Sequence, residues 1–189
     1  MQSCFSINRC RKGFGKQDKS IVDQVISKGK ALIFIVNKWD KIEKSTSTMK
    51  EFEEEVRSQY RELDHFPILF ISSTTKQRIN KVLEVAWTVY ERSKKTIPTN
   101  KLNVLIEKVM NENPPPAEKG KVIKINYSVQ VHKQPAVIAL FANYPRLIKI
   151  SYQRYLMNQI RSHFDLKGIP IRSVSYTHLR AHETRGNLV

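Results

Sequence analysis

Only two cysteines occur in the 189 residues, Cys4 and Cys10, too few for a disulfide framework. Long apolar runs are missing as well. The longest, Ala136 to Ala142, and the next, Ala31 to Val36, fall far short of the roughly 20 residues a membrane-crossing helix requires. The start, "MQSCFSINRC", has no apolar segment of signal-peptide length, so the chain is expected to be soluble and cytoplasmic, with no membrane partner. Glycine is sparse, at positions 13, 15, 29, 120, 168 and 186. Neither a G-x-x-G pair nor a phosphate cradle of the form G-x-x-x-x-G-K-[ST] can be written from them. No cysteine–histidine or serine–histidine arrangement surrounds a glycine-rich elbow, so nucleophilic catalysis is unsupported and no catalytic residue is assigned. His178 and His182 are four apart, as helical zinc ligands can be, but the cysteines stand at the opposite end and no metal site is expected.

Acidic residues are the other shortage. Seventeen of them face 33 lysines and arginines, a formal charge of +16. That balance favours a polyanionic partner, nucleic acid ahead of membrane, because no basic amphipathic anchor stands out. Residues 1–99 carry 19 basic and 12 acidic groups, whereas residues 100–172 carry 12 and 4, so the second half is the more basic per residue.

The hydrophobic pattern divides the chain in two. In the first half, "KQDKSIVDQVISKG" spaces Ile21, Val22, Val25 and Ile26 at helical intervals, and Gly29 is a natural stop. "ALIFIV" and "FPILFIS" read as buried strands. "STSTMKEFEEEVRSQYREL" begins with cap-forming hydroxyls and continues as a helix. "QRINKVLEVAWTVYERS" is another helix, with Ile79, Leu83, Ala86, Val89 and Tyr90 on or near one face. Such alternation implies a parallel sheet covered by helices. The pattern lapses near "SKKTIPTN". Beyond it come the helix "KLNVLIEKVMNEN", stopped by three prolines, the strands "GKVIKINYSVQVH" and "PAVIALFAN", the helix "PRLIKISYQRYLMNQIRSHF" and the strand "IPIRSV". The order α-β-β-α-β makes a small α+β domain. The expected fold class is therefore α/β followed by α+β.

"FIVNKWD" ends a buried strand on Asn37-Lys38-Trp39-Asp40, where open parallel sheets bind ligands. The N-K-x-D spacing suits a guanine base. Asp40 can accept from the ring N–H and the exocyclic amine together, a pair that adenine does not offer. Asn37 can donate to the base or tie neighbouring loops, and the Lys38 stem can lie across the ring. Such a bidentate contact discriminates by roughly 1–3 kcal/mol. "FISSTT" closes the next strand about thirty residues later. Backbone N–H groups around Ser72, Ser73 and Thr74 then stand beside the same crevice, although those residues also suit a helix cap.

With both segments in view, the chain resembles the carboxyl-terminal part of the Der (EngA) family. That family carries two GTPase domains in tandem and a KH-like domain, and assists assembly of the large ribosomal subunit. The resemblance runs from about Gly13 to Arg172. "GFGKQDKSIVDQVISKGKALIFIVNKWD" is similar to the segment leading into the guanine-specificity motif of the second GTPase domain. "FISSTTKQRINKVLE" is similar to the second base-contacting loop, with Ser73 where alanine is usual. "NENPPPAEKGKVIKINYSVQVHKQPAVIALFANYPRLIKISYQRYLMNQIRSHFDLKGIPIR" is similar to the KH-like domain nearly end to end. The resemblance implies part of a P-loop GTPase sheet over residues 13–97 and a KH-like domain over 98–173, with GTP as ligand. Ribosomal RNA and the large subunit are the implied partners, and the KH-like domain is expected to touch the GTPase domain within the chain.

The resemblance also has gaps. The family's switch threonine and D-x-x-G magnesium loop, which hold Mg, have no matching position here. "DLKG", Asp165 to Gly168, fits by letter but sits late in the KH-like region and is set aside. Without phosphate contacts, GTP affinity should be weak and hydrolysis by this chain undetectable. Residues 1–12 lack the apolar strand expected before the first helix and read as a frameshift or truncation. Residues 174–189, including "SYTHLRAHETRGNLV", depart from the short basic tail expected and read as non-native. Without a G-x-x-G clamp, RNA contact should run through Lys121, Lys124, Lys133, Arg146, Lys149, Arg154 and Arg161 on phosphates, some of which the resemblance also allows at the domain joint. Tyr152 and Tyr155 are expected to pack rather than stack on bases. The competing reading is a basic α+β RNA-binding module with no nucleotide role.

Overall fold

A computed structural model describes residues 3–9, as backbone, together with 14–42 and 48–177. Two three-stranded sheets form two domains. In the first, β1 (Ser3–Arg9), β2 (Ala31–Asn37) and β3 (Ile68–Phe70) run parallel in the order β1-β2-β3. Leu32 to Val36 are all buried, because β2 is the central strand and is covered on both faces. Leu32, Phe34 and Val36 pack with α1 (Lys16–Ser27) and α2 (Thr48–Gln59), through Val22, Val25 and Val56. Ile33 and Ile35 face Ala86 and Val89 of α3 (Ile79–Lys94). This two-sided cover is why "ALIFIV" shows no alternation.

β1 corrects one expectation. A strand does precede α1, and its register sets Phe5 beside Ile33 and Ile7 beside Ile35. Residues 3–9, "SCFSINR", contain only three apolar side-chain types, Cys4, Phe5 and Ile7, and no continuous apolar run, as suits a strand at the edge of the described sheet. Leu83 is a second correction. It lies 70% exposed on the outer side of α3, because the buried stripe passes through Ala86 and Val89. β3 is shorter than "FPILFIS" implies: Pro67 has no N–H, and Ser72 already bridges to Gln77 across a turn. The hydroxyl-rich start of the second expected helix, residues 45–47, lies outside the described residues, as do Cys10, His178 and His182.

The second domain runs α4 (Thr99–Glu112), β4 (Ile125–His132), β5 (Ala136–Ala142), α5 (Ile150–His163) and β6 (Ile171–Tyr176), the expected order. β4 and β5 are antiparallel, β5 and β6 parallel. Leu102, Ile106, Ile138, Leu140, Leu156 and Ile160 form the centre of its core. α5 begins later than "PRLIKI" implies. Pro145–Leu147 makes a single 3-10 turn, and Lys149, extended at φ −60° and ψ 143°, separates that turn from the helix. Tyr152 is buried, as expected, and its hydroxyl donates to Asn113 O at 2.9 Å; burial pushes its pKa up to about 12. Tyr155 packs against the same core.

The domains meet at the amino-terminal end of the parallel sheet. Leu32 N–H donates to Gly168 O at 3.1 Å, and Gly168 N–H donates to His65 O at 2.8 Å. Gly168 has φ +91°, and a Cβ there would stand 2.8 Å from Val89 Cγ2, so glycine is required on both counts. Arg172 donates to the carbonyls of Ile26 and Ser27 at the end of α1. Asp165 pairs with Arg92 at 2.8 Å and with Lys95 at 3.5 Å. The letters D-x-x-G at 165–168 thus belong to an interdomain clamp.

Candidate nucleotide site and domain joint

The apolar run of β2 ends at Asn37, the first position with a polar side chain at the carboxyl rim of the sheet. Its carboxamide Oδ1 accepts from Ser73 N–H at 3.1 Å and from Lys38 N–H at 2.7 Å. Asn37 and the Ser73 hydroxyl also meet at 3.1 Å. The two loops expected to share a crevice are therefore laced together by the first residue of N-K-x-D. Trp39 secures the next step. Its N–H donates to Ile71 O at 3.0 Å, and its ring is 2% exposed against Phe70 and Phe52. With Trp39 anchored, Asp40 is carried on a short 3-10 turn, Trp39–Lys41, at the same rim.

Ser72 is fully buried; its N–H donates to Gln77 O, and its hydroxyl accepts from Thr75 N–H at 3.2 Å. It therefore shapes the loop, while Ser73 and Thr74 are exposed. Lys38, Lys76 and Arg78 take left-handed backbone at φ 63°, 58° and 60°, all within these two loops. Non-glycine residues in that region cost energy, and such strain clusters where a surface must be held in a set shape.

The seven basic candidates of the second domain do not form one patch. Lys121, Lys124, Arg146 and Lys149 surround the loops at 118–124 and 143–149. There Lys124 N–H donates to Asn143, Lys121 lies 4.6 Å from the Tyr144 ring centre, and Lys149 pairs with Glu118 at 2.9 Å. Arg154 and Arg161 instead line a cleft at the domain joint with Arg61, Glu62 and His65. Arg161 is half-buried, and its Nε has no hydrogen-bond partner among the described residues. Burial lowers its pKa to about 10 against an opposing pull from Glu62. Burial, then Arg161, lowers the neighbouring His65 to about 4. Lys133 lies at a different part of the joint, in a cavity with Lys28, Lys30 and Lys94. Lys28, Lys30, His65 and Gly168 escape a reading of the sequence because each acts across the joint, and no local pattern records that.

Comparison with known proteins agrees with both halves. Residues 96–175 match the family model of the KH-domain-like region of EngA bacterial GTPase enzymes, C-terminal, and residues 2–92 match that of the elongation factor Tu GTP binding domain. GTPase Der of Desulforamulus reducens is 47% identical over 161 residues, 85% of this chain and 37% of that protein. GTPase Der of Flavobacterium johnsoniae is 40% identical over 168 residues, 89% of this chain and 38% of that protein. A structure of Era in complex with MgGDPNP and nucleotides of 16S ribosomal RNA aligns at 19% identity and a TM-score of 0.39, over 90% of this chain and 64% of that one. The chain thus spans little more than a third of the length of the curated relatives it matches. It belongs to the Der (EngA) family of bacterial GTPases.

Proposed function

We propose that this chain supplies the guanine-recognition end of a GTPase domain and the adjoining KH-like domain of a cytoplasmic protein acting in assembly of the large ribosomal subunit. The observation that carries the reading is the lacing of Asn37 to Ser73, which supports the two loops at the rim where Asp40 stands. The donor set fits guanine. A carboxylate accepts the paired hydrogens of the base, the Asn37 amide orients the loop, and the Lys38 stem offers an apolar edge to the ring. GTP bound with Mg would supply a hydrolysable phosphate chain and a conformational signal. The residues present hold the base and orient it, and those that would hold the metal have no counterpart among them. In this reading the KH-like domain contacts ribosomal RNA through phosphates, and binding should be salt-sensitive and indifferent to sequence.

The test uses the complete gene product. Asp40→Asn should move its preference from GTP toward xanthosine triphosphate by about tenfold or more, read as the ratio of dissociation constants. An unchanged preference would overturn the reading and favour an RNA-binding module without nucleotide function.

A further inference from the structure

We propose that the lysine-lined cavity at the domain joint is a binding groove for single-stranded RNA, formed by both domains together. This rests on the RNA-contact reading above and gives it a place. The cavity, about 460 Å³, is lined by Lys28 and Lys30 from the loop before β2, Lys94 from the end of α3, and Lys133 from the β4–β5 turn. Gln134, shared with Lys94 and Lys133, leads into a second hollow of about 630 Å³ along Val131 and His132 at the end of β4. Among the described residues, no acidic side chain lines either hollow. Glu91, on the same helix as Lys94, is paired with it at 2.9 Å.

Lys28, Lys30 and Lys133 bring positive charge to a hollow that no acidic residue lines among the described residues, which favours a polyanion there. Aromatic rings stand beside the charge. Tyr90 lines the cavity with Lys94 4.1 Å from its ring centre, and Trp87, one turn earlier, is 61% exposed with its ring 5.7 Å from Tyr90. Lysines along an extended hollow, with an accessible aromatic face at its side, are the combination that holds a single strand, phosphates on the cations and a base against a ring. Gly29 fixes the groove's floor: it has φ +67°, and a Cβ there would overlap Pro135 at 2.4 Å. The two lysines beside it are thereby held against the KH-like domain.

The test is anisotropy of a fluorescein-labelled, unstructured oligouridylate with the 189-residue chain, across a salt series. Lys28→Gln with Lys30→Gln should weaken binding about tenfold and lower the salt slope by roughly 0.7 for each phosphate no longer neutralised. The control, Lys50→Gln with Lys108→Gln, removes two exposed charges that line neither hollow and should stay within about twofold. Circular dichroism melts establish that both variants fold. RNA, but not polyglutamate of equal charge, should protect Lys28 and Lys30 from acetylation and quench Trp87 emission. Equal weakening in the two double variants overturns the groove and leaves RNA binding elsewhere intact. Equal protection by polyglutamate also overturns it, in favour of an acidic protein partner. Absence of any binding by the unmodified chain removes the RNA reading itself, and the groove with it.

Discussion

Asn37 shows how much one side chain can do at the end of a strand. Its carboxamide joins two loops that are 36 residues apart in sequence, beside the backbone bond from Trp39 to Ile71. Asn37→Ala should therefore lower stability by about 1–2 kcal/mol in urea unfolding, through the removal of these side-chain hydrogen bonds. Under the function proposed above, guanine-nucleotide affinity should fall alongside it. His65 is a titratable group at the joint whose surroundings disfavour its charged form. Its imidazole titrates near pH 4, pushed down to about 4 by burial, Arg161 and Arg57 and only partly restored by Asp64. The unfolded value is near 6.5, so between about pH 4 and 6.5 the unfolded chain binds more protons than the folded one. The stabilisation is complete above about pH 6.5 and declines as pH falls toward about 4. Water still reaches part of the ring, so the decline should be about 1–2 kcal/mol. His65→Gln should flatten that acid limb in thermal melts taken from about pH 7 to about pH 4.

At the scale of elements, Gly168 is the sharpest test of the joint. Gly168→Ala combines a left-handed backbone with a 2.8 Å approach to Val89, and should destabilise by roughly 1–3 kcal/mol. Its melting should split into two transitions, because strain at 168 displaces the carbonyl that Leu32 N–H reaches across the joint. α3 offers the opposite case. Leu83 is 70% exposed, so Leu83→Gln should change stability by no more than about 0.5 kcal/mol while improving solubility. These elements also show what a sequence can convey. "ALIFIV" is legible as a doubly covered strand because its adjacent apolar residues leave no polar face, and the order of the second domain follows from periodicity alone. The loops at the carboxyl rim are legible because they close apolar runs. Leu83 misleads because helical spacing locates an apolar stripe without saying how wide the buried part is. β1 is easily passed over because "SCFSINR" neither alternates strictly nor forms an apolar run. The joint is illegible: it is made by backbone amides, a glycine and separated charges, set by how the domains dock.

For the whole molecule, the described parallel sheet ends at β1, whose far edge carries no partner strand among the described residues. Unpaired strand edges invite pairing between chains. The 189-residue chain should therefore self-associate as it is concentrated, and light scattering after size exclusion should show mass rising with loading. The arrangement of the two domains has a mechanical consequence. β2 touches the KH-like domain through Leu32 and reaches the carboxyl rim of its sheet at Asn37, a span of about 17 Å along one extended segment. One strand thus fastens the second domain to the loop that follows β3, with Leu32 N–H at one end and the Asn37 carboxamide at the other.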